Sequence, residues 1–188
     1  MNLANKLTFF RVILVPFFVI GLMTEFLPLR YLIALIIFAL ASLTDMFDGK
    51  VARKYNMVTD LGKFLDPLAD KILVAAALIC FTELGFASAW AVSLIMAREF
   101  AVSGIRLLAA GSEKKLVIAA NIWGKLKTAS TMAAICLILI MHILTDDLSL
   151  LGSFPVQTVT DILIYICTVL TVISGAIYIY DYRELLKG

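Results

Sequence analysis

Within the stretch DMFDGKVARKYNMVTDLGKFLDPLAD, residues 45 to 70, Asp45 and Asp48 stand three residues apart and Asp66 and Asp70 four apart. On a helix those intervals put the two carboxylates of each pair on one face. Each pair adjoins a long apolar run, LIALIIFALASL before the first and ILVAAALICF after the second, so the helices that carry them are expected to be membrane spans. An ionisable group at the centre of a span costs about 2.5 to 3.5 kcal/mol on insertion scales, and residues that bear this cost usually line a cavity or an ion pathway. Four facing carboxylates would also repel one another and take up protons unless a cation held them. Ligation by oxygen alone points to a hard divalent ion, Mg²⁺ or Mn²⁺, and four carboxylates suffice to bridge two of them. A calcium loop of EF-hand type is excluded, because Met46 and Phe47 interrupt the alternation of acids or amides that it requires.

The elements that must position these groups follow from composition. With 62% hydrophobic residues in 188, the chain is too apolar for a soluble domain and short enough for a single membrane domain spanning 1–188. A span takes about 20 predominantly apolar residues, and six candidates are present, roughly 9 to 27, 30 to 48, 65 to 84, 88 to 110, 120 to 144 and 158 to 180. The expected fold is therefore an all-α membrane protein, a six-transmembrane-helix bundle with a polar cavity open to the cytoplasm. The first span reads as retained rather than as a signal peptide, since Pro16 interrupts it and no small-residue cleavage pattern follows. Lys and Arg concentrate at the N-terminus, the second and fourth connections and the C-terminus. Arg30 and the acids Glu25, Glu83, Asp146 and Asp147 mark the other side. By the positive-inside rule both termini and the aspartate segment face the cytoplasm. The net charge of +2 matters less than this asymmetry, which suits an anionic leaflet and phosphate ligands and gives no sign of nucleic acid. Cys80, Cys136 and Cys167 lie singly in apolar runs and read as small buried hydrophobes, without disulfide or metal.

The full spacing, Asp45-x2-Asp48-Gly49-x2-Ala52-Arg53-x8-Gly62-x3-Asp66-x3-Asp70, resembles the signature of the CDP-alcohol phosphotransferases, integral membrane enzymes of phospholipid synthesis, at all eight fixed positions. The resemblance implies an enzyme with two divalent ions, Mg²⁺ or Mn²⁺, held by the four aspartates. It further implies a cytidine diphosphate seated on Gly49, Ala52, Arg53 and Gly62, and transfer of a phosphatidyl group from CDP-diacylglycerol to an alcohol with release of CMP. Asp70, furthest along its span, is the candidate for a mixed role as metal ligand and general base towards the acceptor hydroxyl. The opening residues Asn5, Thr8 and Arg11, at steps of three, resemble the start of the family branch that uses glycerol 3-phosphate. They are expected to contact nucleotide or phosphate. A homodimer and a bacterial plasma (inner) membrane location are likewise implied by the resemblance.

Two further segments place charge in apolar surroundings. In MAREFAVSGIR, Arg98 and Glu99 fall near the middle of the fourth span, and Arg106 follows Arg98 by about two turns. Adjacent residues do not face each other on a helix, so Arg98 and Glu99 are each expected to need another partner. In NIWGKLKTAS, Lys125 and Lys127 open the fifth span. Serine or inositol would not demand so many cations. Glycerol 3-phosphate brings a phosphate that suits Arg as a bidentate partner, so Arg11, Arg98, Arg106, Lys125 and Lys127 are assigned to the acceptor phosphate. An inositol phosphate would satisfy the same charges. A membrane prenyltransferase would bring a longer bundle and a different acid spacing, and a divalent-ion transporter would not need the Gly-Ala-Arg-Gly frame. His142 reads as an interfacial residue, Trp90, Tyr165, Tyr178, Tyr180 and Tyr182 as anchors or packing groups, and the acids of TDDLSLLGSFPVQ as solvated loop charges.

Overall fold

The computed structural model describes residues 3–55, 60–111, 122–152 and 154–183, with side chains for 9–44, 71–106, 122–152 and 154–183. The described residues form six α-helices: α1 (Leu3–Met23), α2 (Arg30–Tyr55), α3 (Asp60–Glu83), α4 (Ala89–Gly111), α5 (Ile122–His142) and α6 (Val156–Asp181). A π-helical turn, Ile143–Asp147, continues α5. Each apolar run read from the sequence corresponds to one helix. Among the described residues two helices, α5 with its π turn and α6, are long and apolar enough to cross a bilayer; Phe9–Met23 and Arg30–Thr44 are shorter apolar stretches. Helix α2 runs past its apolar segment to Tyr55, and α3 begins at Asp60, so Pro67 lies well inside α3 and not in its first turn as a tolerated N-terminal proline would.

The chain forms two compact units, Met1–Glu83 with Ile135–Val156, and Leu84–Ala134 with Gln157–Gly188. In the first, α1 packs on α2 and α3 through stripes of helical period. Helix α1 buries Arg11, Val15, Phe18 and Leu22, α2 buries Tyr31, Ala34, Phe38 and Ala41, and α3 buries Leu73, Ala77 and Phe81. Phe18 and Phe38 meet at 6.0 Å between ring centroids. The outward faces are apolar too, with Ile13, Phe17 and Ile20 exposed on α1 and Ile36, Leu40 and Leu43 on α2. Helices that are hydrophobic all round belong to a bilayer or a large core.

The π turn ends α5 in a polar knot. Leu148 N–H donates to the Ile143 carbonyl at 2.9 Å, and His142 Nδ1 meets Asp146 Oδ2 at 2.8 Å. Asp147 Oδ2 accepts from the Leu32 N–H at 3.2 Å, so its carboxylate satisfies one of the amides left unpaired at the start of α2. The expectation that these acids are merely solvated therefore fails. His142 is buried at 6% exposure, its ring 5.2 Å from that of Tyr31.

In the second unit α4 buries Ala91, Ile95, Val102 and Ile105 at steps of three, four and seven, a seam in which Arg98 takes the intermediate position. Helix α6 buries Thr160, Ile164, Cys167, Thr168, Thr171, Ser174 and Tyr178 along one face. Thr168 and Thr171 return their hydroxyls to the carbonyls of Ile164 and Cys167 at 2.8 and 2.7 Å, which satisfies the buried oxygens within the helix. Trp90 and Tyr165 stack at 5.6 Å, so these aromatics serve packing. The three cysteines are free thiols, Cys80 and Cys167 buried and Cys136 half-buried.

Candidate functional site

The aspartate motif occupies two helices of the first unit. Asp45, Asp48, Gly49, Ala52 and Arg53 lie on α2, and Gly62, Asp66 and Asp70 on α3. Their side chains, with those of Asn5 and Thr8 on α1, lie outside the described residues. The register is informative. The buried stripe of α2 runs Tyr31, Ala34, Phe38, Ala41, and the same steps of three and four arrive next at positions 45, 48 and 52. On α3 the stripe of Leu73 and Ala77 continues towards the N-terminus through positions 70, 66 and 62. All four aspartates thus occupy register positions of the two stripes that the unit buries further along the same helices. Arg11, on the buried stripe of α1, is only 1% exposed. Among the described side chains no group of three or more His, Cys, Asp or Glu is arranged to hold a metal.

The second unit contains a partly buried polar network. Arg98 Nη1 meets Glu99 Oε1 at 3.1 Å, and the same oxygen receives Lys127 Nζ at 2.5 Å. Arg98 Nη2 donates to Ser174 Oγ at 2.6 Å. The expectation that the adjacent Arg98 and Glu99 would look elsewhere holds only in part. Each does have a second partner, but their long side chains also reach round to one another. The glycines make room: a Cβ on Gly175 would stand 3.0 Å from Arg98 Cγ, and one on Gly124 would stand 3.7 Å from its Nη2. Lys127, with 3% side-chain exposure against 16% for Glu99, is kept as a buried cation by a partner, since an unpaired ion there would cost several kcal/mol of desolvation.

The remaining predicted cations are arranged differently. Arg106 donates from Nε to the Tyr178 hydroxyl at 3.2 Å, its guanidinium 5.6 Å from that ring's centroid. Lys125 is exposed, so of the two lysines that open α5 only Lys127 joins the Glu99 carboxylate. Ser174 escaped the sequence reading, and Tyr178 entered it only as an anchor or packing group. The signal was present in the spacing of Thr168, Thr171, Ser174 and Tyr178, a hydroxyl stripe of helical period in an otherwise apolar run. A polar cavity of about 480 Å³, lined among others by Glu25, Arg30, Tyr31, Asp146 and Asp147, lies at the other end of α2 from its aspartates, some 20 Å along the helix axis at 1.5 Å per residue. It belongs to the capping knot.

The described residues are all helical in their long elements and largely apolar, carry two aspartate pairs at one-turn spacing on α2 and α3, and bury Arg11 and Lys127 among the helices. The chain belongs to the CDP-alcohol phosphatidyltransferase family, whose profile matches residues 1–173. It is 42% identical, over 99% of its own length and 97% of the relative's, to a CDP-diacylglycerol–glycerol-3-phosphate 3-phosphatidyltransferase of Bacillus subtilis. Proteins of the same name from Escherichia coli K12 and Salmonella typhimurium are 41% and 40% identical over 73% of this chain and 76% of theirs. The chain is accordingly a transferase of phospholipid biosynthesis.

Proposed function

We propose that this enzyme transfers the phosphatidyl group of CDP-diacylglycerol to glycerol 3-phosphate, giving phosphatidylglycerophosphate and CMP. The observation that carries the reading is the near-complete alignment with a relative named for that reaction, over a motif present at all eight positions. The family match passes through both compact units, which supports one catalytic membrane domain of six spans, with both termini and a polar cavity on the cytoplasmic face of a bacterial inner membrane. The family resemblance extends this to a homodimer.

The donor set fits a divalent metal, being oxygen-only and carried as two pairs at one-turn spacing on two helices of one packed unit. Asp45, Asp48, Asp66 and Asp70 would hold two Mg²⁺ or Mn²⁺ ions, which when bound supply charge neutralisation on a diphosphate and its departing phosphate. Asp70 would also accept the proton of the acceptor hydroxyl as its oxygen attacks the phosphorus bearing the diacylglycerol. Asn5, Thr8, Gly49, Ala52, Arg53 and Gly62 are assigned to the cytidine diphosphate. The acceptor phosphate falls to Arg11, Arg98, Arg106, Lys125 and Lys127, with Arg98 and Lys127 at its centre.

The test is CMP release by detergent-purified protein supplied with CDP-diacylglycerol, Mg²⁺ and a panel of acceptors. Glycerol 3-phosphate is expected to be used in preference to serine, inositol and inositol phosphate. Absence of acceptor-dependent CMP would remove the reading.

A further inference from the structure

We propose that Glu99 is a positioning residue for the acceptor phosphate, its carboxylate coupling Arg98 and Lys127 into one anion-binding unit; this rests on the acceptor assignment made above. Both cations meet the same atom, Glu99 Oε1. Two cations drawn to one oxygen would repel each other without its charge, and each would then be free to seek another rotamer or a different carboxylate. With Glu99 in place the group of three keeps a single net positive charge, enough to attract an anion and too little to drive the helices apart. Ser174 fixes the far side of the guanidinium at 2.6 Å, and Gly175 admits its aliphatic stem. Arg98 is therefore tied at both terminal nitrogens.

One donor remains. Arg98 Nε is buried without a hydrogen-bond partner among the described residues, an arrangement that is costly in a resting protein. A guanidinium carries five N–H groups and no acceptor, so the group that completes it is an anion or a neutral oxygen. A phosphate oxygen answers that need with the added strength of a charge-assisted bond. The network also explains why an acid is kept in a phosphate site at all. Glu99 gives up part of the attraction for the ligand and in return removes the entropy of two long, mobile side chains before the ligand arrives.

The experiment compares steady-state kinetics of Glu99→Gln, Ser174→Ala and Ser174→Thr with the wild type, varying glycerol 3-phosphate and CDP-diacylglycerol in turn. Glu99→Gln is expected to raise the acceptor KM about tenfold, the equivalent of one lost charge-assisted hydrogen bond, while the KM for CDP-diacylglycerol moves less than about twofold. Ser174→Ala, which changes no charge, is expected to shift the same constant in the same direction, and Ser174→Thr, which keeps the hydroxyl, to restore it. Should Glu99→Gln fail to fold, the serine pair decides. A purely structural role would lower kcat or yield without dividing the two Michaelis constants, and that result overturns the proposal. An active wild type with the acceptor KM unmoved in the folded variants overturns the assignment of Glu99 alone; a wild type that releases no CMP with glycerol 3-phosphate overturns the function reading and this proposal with it.

Discussion

Asp147 accepts a hydrogen bond from the backbone N–H of Leu32 across 115 residues of sequence. The start of α2 is thus capped by a carboxylate delivered from the end of α5, where most helices use a side chain of their own first turn. A negative charge there also meets the positive end of the helix dipole. Asp147→Ala is expected to lower stability by about 1 kcal/mol, measured by thermal unfolding in detergent, and Asp147→Asn by less, since the amide oxygen still accepts. CMP release per folded molecule should be unchanged in both.

A second expectation concerns the aspartate motif. Asp45→Asn, Asp48→Asn and Asp66→Asn should each abolish turnover while the protein keeps its elution volume and helical signal, because the lost charge is one that the bound cations require and the apolar packing does not. Near-normal turnover of all three at ordinary Mg²⁺ concentration would refute a shared metal site.

The six-span topology can be read from accessibility. On a background lacking Cys80, Cys136 and Cys167, a cysteine at Lys54 or Lys115 should react with a membrane-impermeant thiol reagent only after the cytoplasmic side is opened. One at Asp147 should react in intact cells. Reaction of all three from one side would sink the topology.

The two glycines around Arg98 make a matched pair. A Cβ at Gly175 would press on the guanidinium's aliphatic stem at 3.0 Å, whereas one at Gly124 would rest at 3.7 Å, an ordinary contact. Gly175→Ala is expected to raise the acceptor KM severalfold and Gly124→Ala to leave it near the wild-type value, by the same kinetic comparison. Equal effects would mean that Arg98 is not held where the phosphate needs it.

Much of this was legible in the sequence because membranes leave few options for the backbone. Apolar runs that enter a bilayer must be helical; among the described residues all six runs lie on helices, and two of these are long and apolar enough to cross. Arg98 and Glu99 stood out as charge within hydrocarbon, but Lys127, the second partner of Glu99, could not be separated from Lys125 by residue type. Helix geometry does separate them: residues two apart are about 200° apart around the axis, so one of the two was bound to face away. Ser174 and Tyr178 were harder. A lone hydroxyl in a span is satisfied by its own helix as easily as by a neighbour, as Thr171 shows, and nothing local says which Ser or Tyr will meet an arginine more than 70 residues away. The role of Asp147 was hidden for another reason, since the π turn that presents it has no sequence signature comparable to a cap or a glycine.

That turn makes the chain sensitive to its own arithmetic. A π segment is a place where a helix has taken in an extra residue, and everything beyond it is rotated to suit. Deleting any one residue between Ile143 and Asp147 would leave the hydrophobic length of α5 almost untouched, so the segment would still insert. It would, however, swing the following acids by about 100° around the helix axis, away from the Leu32 amide. Length in this short segment is therefore as constrained as composition, and a variant lacking one residue there would enter α2 without its carboxylate cap, at the opposite end of the helix from the aspartates and with every residue of the catalytic motif intact.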